Sequence, residues 1–189
     1  SWMAGGLYPE MPFNQQLSIP VELTLLGRGS GARLARRPVT ELSQLHGRKI
    51  EVDQEVIANG SPFSVKTDSK LLDISFRIAR NTSKGLYLLI RGQYLAFDWA
   101  ENTMTMTPSG TVKMVGDKPP VKIPDAPSLL VRILVDVTSV EVFLNEGEIS
   151  ASYCFLPGGY ESAIEMHTYS GQQVVENFEM YELKSVWTE

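Results

Sequence analysis

Residues 134–148, with the sequence LVDVTSVEVFLNEGE, decide the fold that this chain is expected to adopt. Apolar and polar residues alternate along the segment, and the strand that leads into it, over residues 130–136, is apolar on much of both faces. Residues 137–139 supply a tight connection to a second strand at 140–144. Residues 145–147 then predict a hairpin turn, whose glycine is suited to a positive φ angle. The segment therefore predicts two adjacent antiparallel strands in a buried sheet.

The same segment carries four carboxylates, the groups that glycosidases use in pairs. Glu146 and Glu148 flank the turn glycine, where acids are usually solvated. Asp136 and Glu141 bracket the tight connection, and a structural role is favoured for both. Asp136 is expected to accept a hydrogen bond from the backbone two residues on, and Glu141 to pair with Arg132 across the hairpin. We therefore assign these three residues to the structure of the hairpin, and no catalytic residue to the chain.

Segments with the alternation of β-strands follow one another along most of the sequence, separated by turn residues. After residue 48 they are predicted at residues 49–56, 63–66, 71–79, 86–91, 94–99, 103–107, 129–137, 140–144, 148–155, 163–169 and 174–187. Because no crossover helices lie between them, the pattern predicts an all-β fold, an antiparallel β-sandwich instead of a parallel sheet.

The start of the chain has a different organisation. Residues 17–26 predict a half-buried strand with an edge or a bend at Pro20, and residues 32–37 predict its return strand. A short helical connector is predicted at 39–45. Since a hairpin alone is marginal in water, this one must either pack on the sandwich or be the end of another domain.

The composition is typical of a globular protein and argues against two kinds of partner. Of 189 residues, 43% are hydrophobic and 21% are charged, so disorder is not expected, and the formal net charge is −5. The basic residues form no run longer than residues 36–37, so neither a nucleic acid nor a membrane is an expected partner. No apolar stretch approaches the roughly 20 residues that span a bilayer. The first residues lack the pattern of a signal peptide, so an exported protein would have lost its leader, or this sequence would begin downstream of it.

Residues with metal-binding or sugar-stacking chemistry are few. One cysteine, Cys154, and two histidines, His46 and His167, do not form a recognisable zinc set, so no metal and no cofactor is expected. The aromatic neighbours of Cys154 predict a buried thiol, and His167 lies in an alternating segment that predicts a sheet-surface histidine. Four aromatic residues are candidates for a sugar-binding platform, although core packing is the commoner role for such side chains: Trp99, Tyr94, Tyr160 and Tyr169.

Several segments, in order, resemble the C-terminal region of glycoside hydrolase family 32, the invertases, inulinases and levanases. Residues 130–147, LVRILVDVTSVEVFLNEG, are similar to the family's "LRILVDRSSVEVFGNDGE", which is the most specific match. Residues 17–25, LSIPVELTL, are similar to "MSLPRELTL", the strand that closes the catalytic propeller, and residues 36–42, RRPVTEL, to the "QPVPEL" linker. Residues 97–110 are similar to a "DR…SG" hairpin, and residues 181–187, YELKSVW, to the closing "LKSIW".

The resemblance implies a division of the chain. Residues 1–46 would be the end of a catalytic propeller, a β-hairpin remnant, with a short helical linker; residues 47–189 would be a C-terminal β-sandwich of lectin-like, jelly-roll type. The family's catalytic motifs, "NDPNG", "RDP" and "EC", do not occur in this sequence. The chain alone is therefore expected to be inactive, the accessory part of a fructan- or sucrose-cleaving glycosidase that packs on the propeller and stabilises it.

Further expectations follow from the same resemblance. The partner is the catalytic propeller of the same parent protein, which is expected to be secreted or periplasmic. Exposed propeller strands are open to self-pairing, so a homodimer through them is expected. Two other functions stay open: a lectin-like module that holds fructan through Trp99, Tyr94 or Tyr160, and a small autonomous enzyme with an unrecognised site on the sandwich face.

Overall fold

The computed structural model describes residues 2–4, 15–27, 29–52, 56–58, 61–80, 83–109, 113–115, 118–156 and 163–186. These residues form β-strands joined by turns, together with the short 3₁₀ helices Gly29–Gly31 and Thr40–Leu45. In chain order the strands are β1 (Trp2–Ala4), β2 (Gln15–Leu17), β3 (Val21–Leu26), β4 (Arg33–Pro38), β5 (His46–Ile50), β6 (Val56–Ala58), β7 (Phe63–Lys66), β8 (Leu72–Ala79), β9 (Gly85–Ile90), β10 (Gln93–Asp98), β11 (Thr103–Pro108), β12 (Lys113–Val115), β13 (Val121–Lys122), β14 (Ser128–Val135), β15 (Ser139–Leu144), β16 (Ile149–Leu156), β17 (Ala163–Thr168) and β18 (Gln172–Leu183).

Two antiparallel sheets make up the sandwich. The larger sheet has the strand order β12, β16, β15, β14, β8, β18 and β5, with β6 also paired to β18. The smaller sheet has the order β13, β11, β10, β9, β17 and β7. Each of the paired strands runs antiparallel to its neighbour, as a fold without crossover helices requires. The predicted all-β antiparallel sandwich is confirmed.

The core lies between the two sheets and follows from the alternation in their strands. In β14, Val131, Ile133 and Val135 are buried, and they lie opposite Leu144, Val142 and Val140 of β15. Because these residues are spaced two apart, they share one face of each strand. The largest fully buried side chains include Phe76, Phe97 and Phe155, which come from both sheets. Cys154 is buried, as expected.

The N-terminal hairpin consists of β3 and β4, which pair over their whole length from Val21 opposite Pro38 to Leu26 opposite Arg33. A separate short strand, β2, precedes it and pairs with β1, and the break between β2 and β3 contains Pro20, where the sequence predicts an edge or a bend. The predicted connector is present as the 3₁₀ helix Thr40–Leu45 and leads directly into β5.

The structure differs from the predicted strands in several respects. The segment predicted as one strand at 49–56 contributes two strands, β5 and β6, which pair with different parts of the long strand β18. The pairing of β18 with β8 is interrupted by a register shift between Glu176 and Glu179. Asn177, which lies in this interruption, has a φ of 53°. The short strands β1, β12 and β13 have too few residues for alternation to predict them.

Within the described ranges, no helix is long and apolar enough to cross a membrane.

Candidate functional site

The outer face of the larger sheet carries the acids and the arginine that the sequence singles out, and the start of the chain lies against it. Leu134, Glu141 and Phe143 point to this outer face yet are buried. Two grooves of about 370 Å³ run along the junction, one lined by Pro38 and Phe143 among others and the second by Ile19. The grooves show incomplete packing at the junction, so its specific polar contacts matter for holding the two parts together.

Glu141 is the most deeply placed of these polar groups. Its carboxylate accepts a hydrogen bond from the Ile19 backbone N–H at 2.6 Å and another from the Ser152 hydroxyl at 3.2 Å. Burial raises the pKa of Glu141 above its usual range, while the hydrogen bonds from Ile19 and Ser152 and the charge of Arg36 act in the opposite direction. Covered and hydrogen-bonded in this way, Glu141 joins the N-terminal segment to the sandwich.

The turn after β15, residues 145–148, makes the second set of contacts with the N-terminal hairpin. The Arg36 N–H donates to the Gly147 carbonyl at 2.8 Å, and the Arg37 guanidinium pairs with the Glu146 carboxylate at 2.7 Å. Arg33 pairs with Glu148. We call these contacts between residues 145–148 and β4 the hairpin clamp. The turn acids, expected to be solvated, thus form ion pairs with the arginines of β4.

Gly147 is required at this position for two reasons. Its φ is +86°, in the left-handed region, and the two residues before it, Asn145 and Glu146, also have positive φ angles. In addition, a Cβ atom at position 147 would collide with the backbone carbonyl of Arg36. The predicted glycine turn is therefore present, and its close approach to β4 adds a demand that the turn alone would not make.

Asp136 stabilises the tight connection between β14 and β15. Its Oδ1 accepts a hydrogen bond from the Val137 N–H at 2.6 Å, and its own N–H donates to the Ser139 carbonyl at 2.8 Å. The side-chain bond closes on the next residue of the chain, not on the second residue along as expected. Asp136 therefore acts within its own turn.

The predicted pair between Arg132 and Glu141 is wrong. Arg132 donates from Nε and Nη2 to the two carboxylate oxygens of Asp73, at 3.0 and 2.8 Å. His46 Nε2 lies 2.9 Å from Asp73 Oδ2, and the His46 ring stacks on Tyr181 with 4.1 Å between ring centroids. We call Asp73, Arg132, His46 and Tyr181 the Asp73 cluster. The arginine turns toward β8 because an almost fully buried carboxylate is available there, on the outward face of the neighbouring strand.

A sequence signal for Asp73 existed in strand β8. Asp73, Ser75 and Arg77 alternate with Ile74, Phe76 and Ile78, so the polar side chains share the outer face. The pattern places Asp73 on that face, but it does not say which strand carries its partner.

The aromatic residues predicted as sugar contacts lie in different places. Trp99 packs against the core, its Nε1 donates to Gln173 at 3.3 Å, and the Arg80 guanidinium lies 4.9 Å from its ring centroid. Tyr94 and Tyr169 lie together on the outer face of the smaller sheet. Tyr160 is outside the described residues. A sugar contact at Trp99, Tyr94 or Tyr160 stays a prediction.

Glu141→Gln is expected to change how stability depends on pH. Because the pKa of Glu141 is higher in the folded chain than in the unfolded chain, the folded chain binds more protons between the two pKa values. The free energy of unfolding therefore falls as pH rises through that window. Glutamine keeps an acceptor for the Ile19 N–H without the charge, so the variant should gain stability relative to the parent as pH rises.

Urea unfolding of both proteins over about pH 4 to 8 measures this difference. A constant difference in unfolding free energy at all pH values would contradict the expectation.

The two-sheet antiparallel sandwich, with a hairpin clamped to the outer face of its larger sheet, places this chain in the class of β-sandwich domains. Residues 40–182 match the family described as glycosyl hydrolases family 32 C terminal, and the chain belongs to this family. The resemblance seen in the sequence is thereby confirmed.

Two curated relatives and two solved structures are similar to the chain. The chain is 26% identical to a levanase from Bacillus subtilis (strain 168), covering 98% of this chain and 30% of the relative, and 24% identical to a levanase from Bacillus sp. (strain L7), covering 100% and 23%. Its fold superposes on an exo-inulinase from Aspergillus awamori with a TM-score of 0.83 at 19% identity, covering 98% of this chain and 40% of that chain. A β-fructofuranosidase from Schwanniomyces occidentalis gives a TM-score of 0.73 at 16% identity, covering 94% and 42%. The chain thus spans less than half the length of each of these proteins.

Proposed function

We propose that this chain is the accessory β-sandwich part of a fructan- or sucrose-cleaving glycoside hydrolase, which packs on a catalytic propeller and stabilises it without cleaving sugar itself. In this proposal residues 1–46 are the end of the catalytic part with its linker, and residues 47–189 are the C-terminal sandwich. The names of the relatives, levanase, exo-inulinase and β-fructofuranosidase, support the substrate class. Since levan and inulin are polymers, the parent enzyme would meet them outside the cytoplasm, secreted or periplasmic.

The observation that carries the proposal is an exposed apolar face on the N-terminal hairpin. Leu23, Leu25 and Leu34 are 59%, 67% and 56% exposed, and Leu25 lies directly opposite Leu34 on the paired strand. We call these three side chains the leucine face. Adjacent exposed apolar side chains are typical of an interaction surface.

The opposite face of the hairpin is directed toward the sandwich. Arg33, Ala35 and Arg37 alternate with Leu34 along β4; Ala35 is fully buried, and the two arginines belong to the hairpin clamp. The hairpin is thus attached to the sandwich on one side and presents leucines on the other. A domain that covers the leucine face would be coupled to the sandwich through the clamp, which is the stabilising role proposed.

The leucine face is tested by Leu25→Asp combined with Leu34→Asp in the parent enzyme. Because two carboxylates would be desolvated at the contact with the propeller, the variant should lose hydrolytic activity on heating at a temperature at least several degrees lower than the parent.

In the 189-residue chain alone, the uncovered leucine face and open strand edges should give homodimers that the same change converts to monomers, measured by light scattering.

Val56→Asp is the matched control, since Val56 is also an exposed aliphatic residue but lies on β6 of the sandwich. It should leave the temperature of inactivation and the oligomeric state unchanged.

The purified chain should release no sugar from levan, inulin or sucrose. Hydrolysis by the chain that Asp136→Asn or Glu141→Gln abolishes would overturn the proposal, as would equal heat stability of the leucine variant and the parent.

A further inference from the structure

The outer face of the smaller sheet carries a groove that the contacts with the hairpin do not use. Ala96 of β10 lies between Tyr87 of β9 and Thr105 of β11 in the register of the sheet, and the small Ala96 side chain leaves a hollow there. The groove has a volume of about 350 Å³, and the described residues that line it are Tyr87, Tyr94, Ala96, Thr105, Thr107 and Tyr169. We call it the tyrosine groove.

The tyrosine rings are held in fixed positions. The Tyr87 ring stacks on His167 with 4.8 Å between centroids and 4° between planes, and His167 is itself bonded to Glu165 at 3.0 Å. Tyr94 meets Tyr87 edge to face at 5.7 Å, and Tyr169 lies 5.5 Å from it. Tyr87 is therefore the anchor of the aromatic group, and a ligand would not have to order it.

Gly85 makes room for the third ring. A Cβ atom at position 85 would lie 2.6 Å from the Tyr169 ring and would also collide with the Phe97 carbonyl. The Tyr169 N–H donates to the Gly85 carbonyl at 3.2 Å, which ties the backbone of Tyr169 to the first residue of β9. Burial and the charge of Asp98 raise the pKa of the Tyr169 phenol, so it stays a neutral hydrogen-bond donor.

Purely structural aromatic pairs across a sheet would account for the ring contacts but not for the shape and exposure of this group. Tyr94 and Tyr169 are 37% and 50% exposed. Their rings line the edges of the groove and do not cover it. Rigid, exposed tyrosines supply large apolar contact area with little loss of conformational entropy. A volume of this size is at the lower end of ligand sites and suits one or two small rings.

The lining also indicates the chemistry of a ligand. Among the described residues, the lining has no charged side chain; it offers aromatic faces, three phenol groups and two threonine residues. Aromatic faces pack against C–H surfaces, while hydroxyl groups exchange hydrogen bonds with other hydroxyl groups. This combination suits a neutral sugar and disfavours a phosphate or a carboxylate, which would need a cationic partner.

We propose that the tyrosine groove binds a neutral oligosaccharide, with a sugar ring over Ala96 and against Tyr94 and Tyr169. The groove is on the smaller sheet, whereas the hairpin and its leucine face are on the side of the larger sheet. A chain docked through the leucine face would therefore keep this groove open to solvent. The site is independent of the accessory role, because each uses a different face of the sandwich.

The test is a titration of the ¹⁵N-labelled 189-residue chain with inulin-type and levan-type fructo-oligosaccharides and, in parallel, malto-oligosaccharides. A small open site predicts a Kd on the order of 1 mM, with amide shifts confined to β9, β10, β11 and Tyr169. Tyr169→Ala should weaken binding roughly tenfold, since it removes one wall. Ala96→Leu should abolish binding while it keeps all three tyrosines, because it fills the hollow.

Tyr181→Ala is the control, as Tyr181 is a stacked tyrosine on the larger sheet, outside the groove. It should bind like the parent. Localised shifts with either type of saccharide support the proposal, and the preferred type identifies the source of the ligand. No shifts with any of the saccharides at about ten times the expected Kd would overturn it, as would binding that Ala96→Leu and Tyr169→Ala leave unchanged. Neither result bears on the heat stability of the leucine variant, so failures of the two proposals are distinguishable.

Discussion

Asp73→Ala is expected to lower the free energy of unfolding by about 3 kcal/mol, the lower end of the range for breaking a buried ion pair. The Asp73 side chain is only 5% exposed. Its carboxylate accepts two hydrogen bonds from Arg132 and lies 2.9 Å from His46 Nε2. Without it, Arg132 is left partly buried and without its ion-pair partner. Because Arg132 keeps some access to water, the loss should not reach the upper end of that range. Thermal unfolding should show a fall of roughly 6–12 °C.

Glu179→Ala is the matched control. Glu179 also pairs with a basic residue, Lys49, at 3.1 Å, but both side chains are exposed, so the loss in the free energy of unfolding should be much smaller than that of Asp73→Ala. A double-mutant cycle with Arg132→Ala then measures the coupling directly, and the double variant should lose little more than Asp73→Ala alone. Equal effects of Asp73→Ala and Glu179→Ala would contradict the importance of burial in the Asp73 cluster.

Gly147→Ala is expected to release the N-terminal hairpin from the sandwich. A Cβ atom at this position would collide with the Arg36 carbonyl, and the backbone is in the left-handed region that disfavours any side chain. The turn must therefore move away from β4, which breaks the hydrogen bond from Arg36 to Gly147. Native-state hydrogen exchange should show faster exchange of the Arg36 amide, while the amides of β14 and β15 keep their protection. The loss in stability should exceed about 2 kcal/mol, the upper end for left-handed strain alone.

Gly29→Ala separates the collision from the backbone strain. Gly29 also has a positive φ, of 62°, but a Cβ atom there would meet nothing within 4 Å. This change should lose only the roughly 1–2 kcal/mol of left-handed strain and leave the exchange of Arg36 unaltered. If the two variants behaved alike, the close approach of the turn to β4 would have no energetic weight.

Most of the sandwich could be predicted because alternation is a local property. The predicted segment 63–66 coincides with β7, and those at 71–79 and 140–144 match β8 and β15 to within one residue at each end. The two buried faces of β14 and β15 follow from the same pattern. The order of strands in the sheets could not be predicted this way, since alternation says which face is buried and not which strand is the neighbour.

The candidate site was predicted in part. Asp136, Glu141 and Arg132 were assigned to structure from their positions in strands and turns, but their partners come from other parts of the chain. Glu141 binds the backbone of Ile19, 122 residues away, and Arg132 binds Asp73, 59 residues away. Tyr87 was not selected, although it alternates with the buried Leu86 and Leu88 and so belongs to the outer face. Its importance depends on Ala96 and Tyr169, which only the folded sheet brings beside it.

By itself, the sequence determined the antiparallel strands, the glycine turn at residues 145–147, the N-terminal hairpin and the resemblance to the family. These depend on neighbours within a few residues, where side-chain periodicity and turn geometry act. Only the tertiary structure decided that the hairpin lies on the larger sheet, that Asp73 holds Arg132, and that three tyrosines border one groove. The reason is physical: a long polar or aromatic side chain takes the best partner within its reach, and reach is set by which strands lie side by side.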